Sequence, residues 1–515
     1  MSQSITSDFE DKNSKSQKTG FKKWIQRNMY RWHRIIGIIA LVPTIFWTAS
    51  GVMHPFMSHW FKTKIANEFY KAETTKQDEV KLTAGQALTQ NQITSFKNIR
   101  FVKFNQKSYY QVKDTKDNSL YFNTIDGKPL LNGDILFAEQ IARFMLADST
   151  SKIKSIEKLT EFTEEYPYVN RILPAYKVSF DRPDKMDLYV ETEQSRFIVF
   201  NDAKRKVFIK IFDIFHNWDF LNAISNNTIR IIVMMIFLTI IIASAVGGLV
   251  IYGFMWGKFK PAKKENQVSI FRKYHRSIGL WTSFVTFTFA FSGIYHATRK
   301  FTPDERLKYV SEPIMQTKAI AQDSLVNLKG VSNISLVKMN EQIYWQLIKK
   351  NWETKETSFE YLTVKEHKPL KDGFKVYAEY LANQFSNREA KGGEECCEMM
   401  DNKSSMSLSD ADLKEAKIIN KFAGEYGFVN KRLPVIKLAY NTSENTTFYI
   451  EPATNRLAAK VTDADRREGF SFAFLHKYNG LESLGKDIRD GVMTLAAFGV
   501  LVVSIFGLAI FIKTK

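Results

Sequence analysis

The chain has 515 residues and carries a formal net charge of +19, too long for one ordinary domain. Its mean hydropathy of −0.25 leaves most of its mass outside any bilayer. Its two cysteines, Cys396 and Cys397, are adjacent, which excludes a disulfide framework joining distant parts of the chain.

Taken in order, residues 1–34 form a basic N-terminus with Lys22, Lys23, Arg27, Arg31 and Arg34. An uncharged run follows, predicting a first membrane span over 35–54. It is longer than a signal-peptide core and lacks a clean cleavage site, so we expect an uncleaved anchor. Residues 55–228 form a long polar segment, and a second span is expected over 229–256. The short loop 257–276 holds Lys258, Lys260, Lys263, Lys264, Arg272, Lys273 and Arg276. A third span is expected over 277–296, a second polar segment over 297–490, a fourth span over 491–512 and a short tail over 513–515 with Lys513 and Lys515. Positive residues gather at the N-terminus, the loop and the tail, so these lie in the cytoplasm and both long segments lie outside. The same pattern accounts for the basic excess, and no nucleic-acid partner is expected.

The chain is one unit written twice. RWHRIIGIIALVPTIFWTASGVMH in the first span matches KYHRSIGLWTSFVTFTFAFSGIYH in the third. EYPYVNRILPAYKVSF from Glu165 matches EYGFVNKRLPVIKLAY from Glu425, and Ser244 and Gly247 match Ser504 and Gly507. The second copy carries an insertion near 391–409 that holds both cysteines and reads as a surface loop. Each copy is span, external domain, span, so the repeat is parallel. Within the external domains, helices are expected at 137–146 and 377–385, and strands at 175–180, 187–191, 197–200, 435–440 and 447–451. The fold class is a membrane protein with four transmembrane α-helices, built as a duplicated two-helix unit with two α+β external domains.

Six of the eight histidines repeat with the unit: His33, His54 and His216 match His275, His296 and His476. His33 and His54 are about 21 residues apart, as are His275 and His296, a helical rise of about 32 Å that spans the hydrocarbon core. Gly37, Gly51, Gly279 and Gly293 each lie one turn further into the membrane on the face of their histidine. Close helix packing through small residues is the alternative, but four glycines in register with four histidines favour a porphyrin lying against the helices. His216 and His476 lie in aromatic, amphipathic stretches before spans two and four, expected as interfacial helices on the external face. His59 and His367 have no counterpart in the other copy and read as ordinary surface residues. No C-x-x-C-H run is present for covalent haem attachment. His33 and His275 are expected to clamp one haem; the four external histidines suffice for one or two more.

The R-W-H-R-x-x-G opening at 31–37, the S-G-x-x-H close at 50–54 and their repeats at 273–279 and 292–296 resemble the PepSY-associated transmembrane helix family of bacterial membrane proteins. The resemblance covers nearly the whole chain and makes the external modules PepSY-like. It implies a b-haem reductase of the bacterial inner membrane, acting on a periplasmic ferric siderophore or related Fe(III) complex to release Fe(II). The expected site residues are His33, His54, His216, His275, His296 and His476 as axial ligands of two or three haem b, with Gly37, Gly51, Gly279 and Gly293 beside them. No G-x-G-x-x-G fingerprint occurs, and the cytoplasmic segments are too short for a flavin or nicotinamide domain. The donor is then a membrane quinol or a separate protein. An iron or haem permease and a PepSY-type binding or regulatory protein are the competing readings.

Overall fold

The structure is a computed structural model that describes residues 3–255, 267–301, 309–351, 353–392, 408 and 411–513. Both cysteines, with residues 393–407 and 409 of the insertion, and the lysines at 258, 260, 263 and 264 lie outside the described residues. In chain order the helices are α1 (Gln3–Pro55), α2 (Ala84–Gln90), α3 (Gly133–Leu146), α4 (Ala203–Phe212), α5 (Asn227–Met255), α6 (Gln267–Thr298), α7 (Gly373–Gly392), α8 (Asp463–Ser471) and α9 (Lys486–Lys513). The strands are β1 (Ser95–Phe96), β2 (Asn98–Phe104), β3 (Lys107–Lys113), β4 (Ser119–Asn123), β5 (Ile153–Leu159), β6 (Ala175–Phe180), β7 (Asp187–Glu191), β8 (Arg196–Asn201), β9 (Met315–Gln316), β10 (Asn333–Met339), β11 (Gln342–Lys350), β12 (Thr357–Thr363), β13 (Leu413–Ile419), β14 (Val435–Tyr440), β15 (Thr447–Glu451) and β16 (Arg456–Val461).

The chain divides into two compact units: residues 1–62, 207–303 and 467–515 form the first, and 63–206 with 304–466 the second. In the first, α1, α5, α6 and α9 are long and apolar enough to cross a membrane, with spans at Asn28–Trp60, Asn227–Gly253, Ile270–Thr298 and Lys486–Lys513. Each helix packs on two neighbours in the cyclic order α1–α5–α6–α9, which leaves α1 diagonal to α6. Small residues line the interior: Ala40, Thr48, Ser50, Thr282, Thr288, Ala290 and Ser292 are buried, as expected where packing rather than a hydrophobic drive joins helices in lipid. Large apolar side chains face outward instead, Trp281 at 80% exposure and Leu495 at 71%, an arrangement compatible with lipid contact. Among the described residues, three five-residue π-helical turns interrupt this unit, at Phe56–Trp60, Asp213–Asn217 and Phe472–His476. Each carries a histidine.

The second unit holds two copies of one α+β module. In the first copy the sheets run β2-β3-β4 and β5-β6-β7-β8, in the second β10-β11-β12 and β13-β14-β15-β16, and all pairings are antiparallel. One stripe of α3 (Phe137, Ala138, Ile141, Ala142 and Met145) packs on Val178, Leu188 and Val190. Tyr377, Ala378, Leu381, Ala382 and Phe385 of α7 pack likewise on Leu438, Phe448 and Ile450. The helices and strands expected from the sequence fall within these elements. The three-stranded sheets were not anticipated. Their strands mix buried polar and apolar residues, such as Arg100, Ser108, Gln111 and Gln346, which blurs the alternation. Between the copies, Asn333 accepts from the Phe101 N–H at 3.0 Å and donates to the Phe101 carbonyl at 3.1 Å. Buried Arg432 lies 2.7 Å from Glu451 and 3.4 Å from Glu191, and Arg196 pairs with both carboxylates. Burial alone would raise the Glu451 carboxyl, but Arg196 and Arg432 outweigh it and hold it well below the usual carboxylate range.

Candidate functional site

Across the diagonal between α1 and α6, the rings of His33 and His275 stand 6.4 Å apart, centre to centre, with their planes at 52°. Each ring is fixed from behind. His33 Nδ1 lies 3.0 Å from the Ser244 carbonyl oxygen on α5, and His275 Nδ1 lies 3.0 Å from the Val503 carbonyl oxygen on α9. A carbonyl can only accept, so both rings carry hydrogen on Nδ1 and keep the Nε2 lone pair free. In an α-helix these two carbonyls also serve the N–H four residues on, and both of those residues are glycine. A Cβ on Gly248 would meet His33 Cε1 at 3.3 Å, and one on Gly507 would meet His275 Cε1 at 3.3 Å. The absent side chains make room for the imidazoles to reach the backbone.

A second pair repeats the geometry with other partners. The rings of His216 and His476, each in a π-helical turn, also stand 6.4 Å apart, with planes at 88°. His216 Nδ1 lies 3.0 Å from Ser50 Oγ, and His476 Nδ1 lies 3.1 Å from Ser292 Oγ. The serine hydrogens are engaged elsewhere: Ser50 donates to the Phe46 carbonyl at 2.8 Å and Ser292 to the Thr288 carbonyl at 2.7 Å. Each hydroxyl oxygen therefore accepts from Nδ1–H, and Nε2 is again free. Burial above all, then the neighbouring imidazole, lowers His216 to about 3. Burial, followed by His296 and Lys477, lowers His476 to about 4. Both rings are neutral, the form in which histidine ligates a metal.

The remaining sequence candidates stand around this core. His54 packs on Phe212 at 5.7 Å, and Phe212 stacks on His216 at 4.4 Å. In the other copy His296 stacks on Phe472 at 4.3 Å and Phe472 on His476 at 4.7 Å. His54 and His296 are thus each one phenyl ring away from the central pair. His296 Nδ1 lies 2.6 Å from Glu468 Oε1, a partner absent from copy one, where Phe208 takes the matching position. Gly37, Gly279 and Gly293 make ordinary contacts with Ser244, Val503 and Leu238, whereas Gly51 faces open space. The glycines that approach histidines are Gly247, Gly248 and Gly507. The repeat of Ser244…Gly247 as Ser504…Gly507 was the signal for them. His59 departs from the expected surface role: its Nδ1 lies 3.0 Å from Oδ2 of Asp490, a buried carboxylate near the start of α9. No sequence repeat marks that pair, since the other copy has Arg230 in place of Asp490.

Among the described residues no group of three or more His, Cys, Asp or Glu side chains could hold a metal ion. Two opposed imidazoles suit a metal that brings its own equatorial donors. A metal–imidazole bond of about 2.0–2.1 Å, with about 1.1 Å from nitrogen to ring centre, separates the centres of two trans imidazoles by about 6.3 Å. Both pairs have this spacing. His33 and Ser50, which anchor the two pairs on α1, are separated by a helical rise of about 25 Å, shorter than the full bilayer thickness expected for ligands at its two faces. Among the aromatics of α1 and α6 in this interval, Phe46 packs on Phe215, Trp47 stacks on Trp218, and Phe289 lies 5.3 Å from His476. Phe287 stacks on Phe291 at the exposed face instead.

No protein-family model matches the chain, and no curated protein matches it.

Proposed function

We propose that the protein is a haem-dependent reductase of the bacterial cytoplasmic membrane, with both termini in the cytoplasm and both α+β modules, which we read as PepSY-like, in the periplasm. The observation that carries this reading is the twin imidazole pair: two sets of rings at 6.4 Å, each ring held as the Nδ1–H tautomer with Nε2 available. The orientation follows the positive residues Arg31, Arg34, Arg272, Lys273, Arg276 and Lys513 at one end of the bundle.

His33 with His275 would hold one haem b near the cytoplasmic face, and His216 with His476 a second toward the periplasm. Haem held by these residues would supply one-electron exchange. The histidines fix the two places between which an electron crosses. Ser244, Val503, Ser50 and Ser292 orient the rings, and the apolar helices exclude water from the path. A donor of the quinol class releases two electrons and two protons at the cytoplasmic end. Each electron reduces one chelated Fe(III), as in a ferric siderophore, to the less tightly held Fe(II). His54 and His296, outward of the second pair, lie on the acceptor side.

The test is transfer across a sealed membrane. Proteoliposomes loaded with a quinol and given an external ferric hydroxamate should accumulate external Fe(II), trapped by a coloured chelator, at twice the rate of quinol loss. Vesicles that form no external Fe(II) while the protein retains haem would rule out the reductase and leave a binding role.

A further inference from the structure

The two imidazole pairs share their spacing but not their hydrogen-bond partners. Both rings of the His33/His275 pair donate to main-chain carbonyls. Both rings of the His216/His476 pair have serine hydroxyls as partners, and His476 alone also has the Phe289 main-chain carbonyl. The division follows the two ends of the bundle; it is complete at His216, while at His476 the hydroxyl shares the ring with a carbonyl. Ser50 and Ser292 are each about 1% exposed, yet the close packing of these helices calls only for small residues there.

The acceptor behind an axial imidazole tunes the metal in front of it. A stronger acceptor draws the Nδ1 hydrogen outward, makes the ring a better donor through Nε2, and favours the ferric state. An amide carbonyl oxygen accepts more strongly than a neutral hydroxyl. The bonds that Ser50 and Ser292 donate to carbonyls polarise their oxygens and narrow this difference, but by a fraction of a bond's strength. The exposed arginines near His33 and His275 act in the opposite sense, through water and headgroups that screen them within about 10 Å. The Nδ1 bond acts on the ligand directly.

We propose that Ser50 and Ser292 are potential-setting residues: by offering hydroxyls where the other pair has carbonyls, they hold the His216/His476 centre at the higher potential, so electrons run outward. This rests on the haem reading above. With haem held by both pairs, electrons would enter at the His33/His275 end and leave one at a time at the His216/His476 end, each reducing one Fe(III). The protons released by the quinol stay on the cytoplasmic side, and the transfer therefore carries charge across the membrane.

The experiment is an equilibrium redox titration of the full-length, haem-loaded protein, followed by visible absorption and by EPR of the ferric states. Near-perpendicular imidazoles, as at 88°, give a low-spin signal at larger g than planes at 52°, which assigns each titrating component to its pair. The expected result is that the large-g component is reduced first, at the higher potential. In Ser50→Ala that component should move higher still, His216 having lost its acceptor, with the other component unmoved; Ser292→Ala, which leaves the Phe289 carbonyl to His476, should move it less. Ser50→Thr and Ser292→Thr, which restore a hydroxyl, should return it. A large-g component that titrates at the lower potential overturns the proposal, as do alanine variants that keep both haems and shift neither. Should the alanine variants shed the outer haem, the order of the two wild-type potentials decides. A wild-type protein with no haem at all defeats the underlying reading, and is distinguished from these outcomes by its spectrum.

Discussion

The carbonyls of Ser244 and Val503 each serve a helix and a histidine, and the glycines at 248 and 507 make that possible. His275→Ala should therefore remove one of two haems per chain while the protein still inserts and purifies, which a haemochrome count against protein concentration would show. Gly507→Leu should do the same without touching a ligand, because its side chain claims the space of the His275 ring; a full haem complement would mean that the approach seen here is incidental. His54→Ala and His296→Ala, by contrast, should keep both haems with unshifted reduced bands, since each of these rings is separated from the central pair by a phenylalanine. At this scale the sequence was informative about residue type and poor about partners. The repeated histidines were visible, yet which histidine faces which depends on helix diagonals and on π-helical turns, and neither leaves a periodic trace.

Among elements, the π-helical turns matter most for the second pair. Each widens one turn of helix by a residue, a distortion common at functional sites, and sets His216 or His476 against a serine of α1 or α6. Deleting Ile214 would restore ordinary helical winding and swing His216 by about 100° around the axis. The expected outcome is loss of the large-g EPR signal with the other signal intact; retention of both would show that the turn does not position the ring. The spans, the α3 and α7 helices and the β6, β7, β14 and β15 strands were legible because each carries an unbroken apolar run or a clean apolar stripe. The strands β2–β4 and β10–β12 were not. Polar groups such as Gln111 and Gln346 are buried in them: Gln111 bonds Arg100 and Tyr121, and the Gln346 amide donates to Tyr361 and to the Pro452 carbonyl.

For the whole molecule, duplication creates the opposed pairs: α1 and α6 are the same element written twice, placed diagonally, so His33 meets its own copy His275, and the turns seated against them bring His216 to His476. The α+β unit exploits the repeat differently, meeting around Glu191, Glu451, Arg196 and Arg432. Removing one partner there leaves buried charge unpaired, and Glu451→Gln should cost about 3–5 kcal/mol, read as a lowered thermal midpoint in detergent. Because the Glu451 carboxyl is lowered in the folded protein, its contribution is complete above the ordinary carboxylate value of about 4.3 and is lost as the pH falls below it toward the lowered value. The wild-type midpoint should fall with acidification in that window, and the glutamine variant should show less of the fall. Equal slopes for the two proteins would remove Glu451 as the cause.

The most direct measurement is the visible spectrum of detergent-purified protein from haem-replete cells, oxidised and dithionite-reduced, with a pyridine haemochrome count. A sharp reduced α-band and two b-type haems per chain are predicted from the two imidazole pairs. A featureless spectrum would contradict the account and leave the histidines as packing residues of a membrane-anchored binding protein.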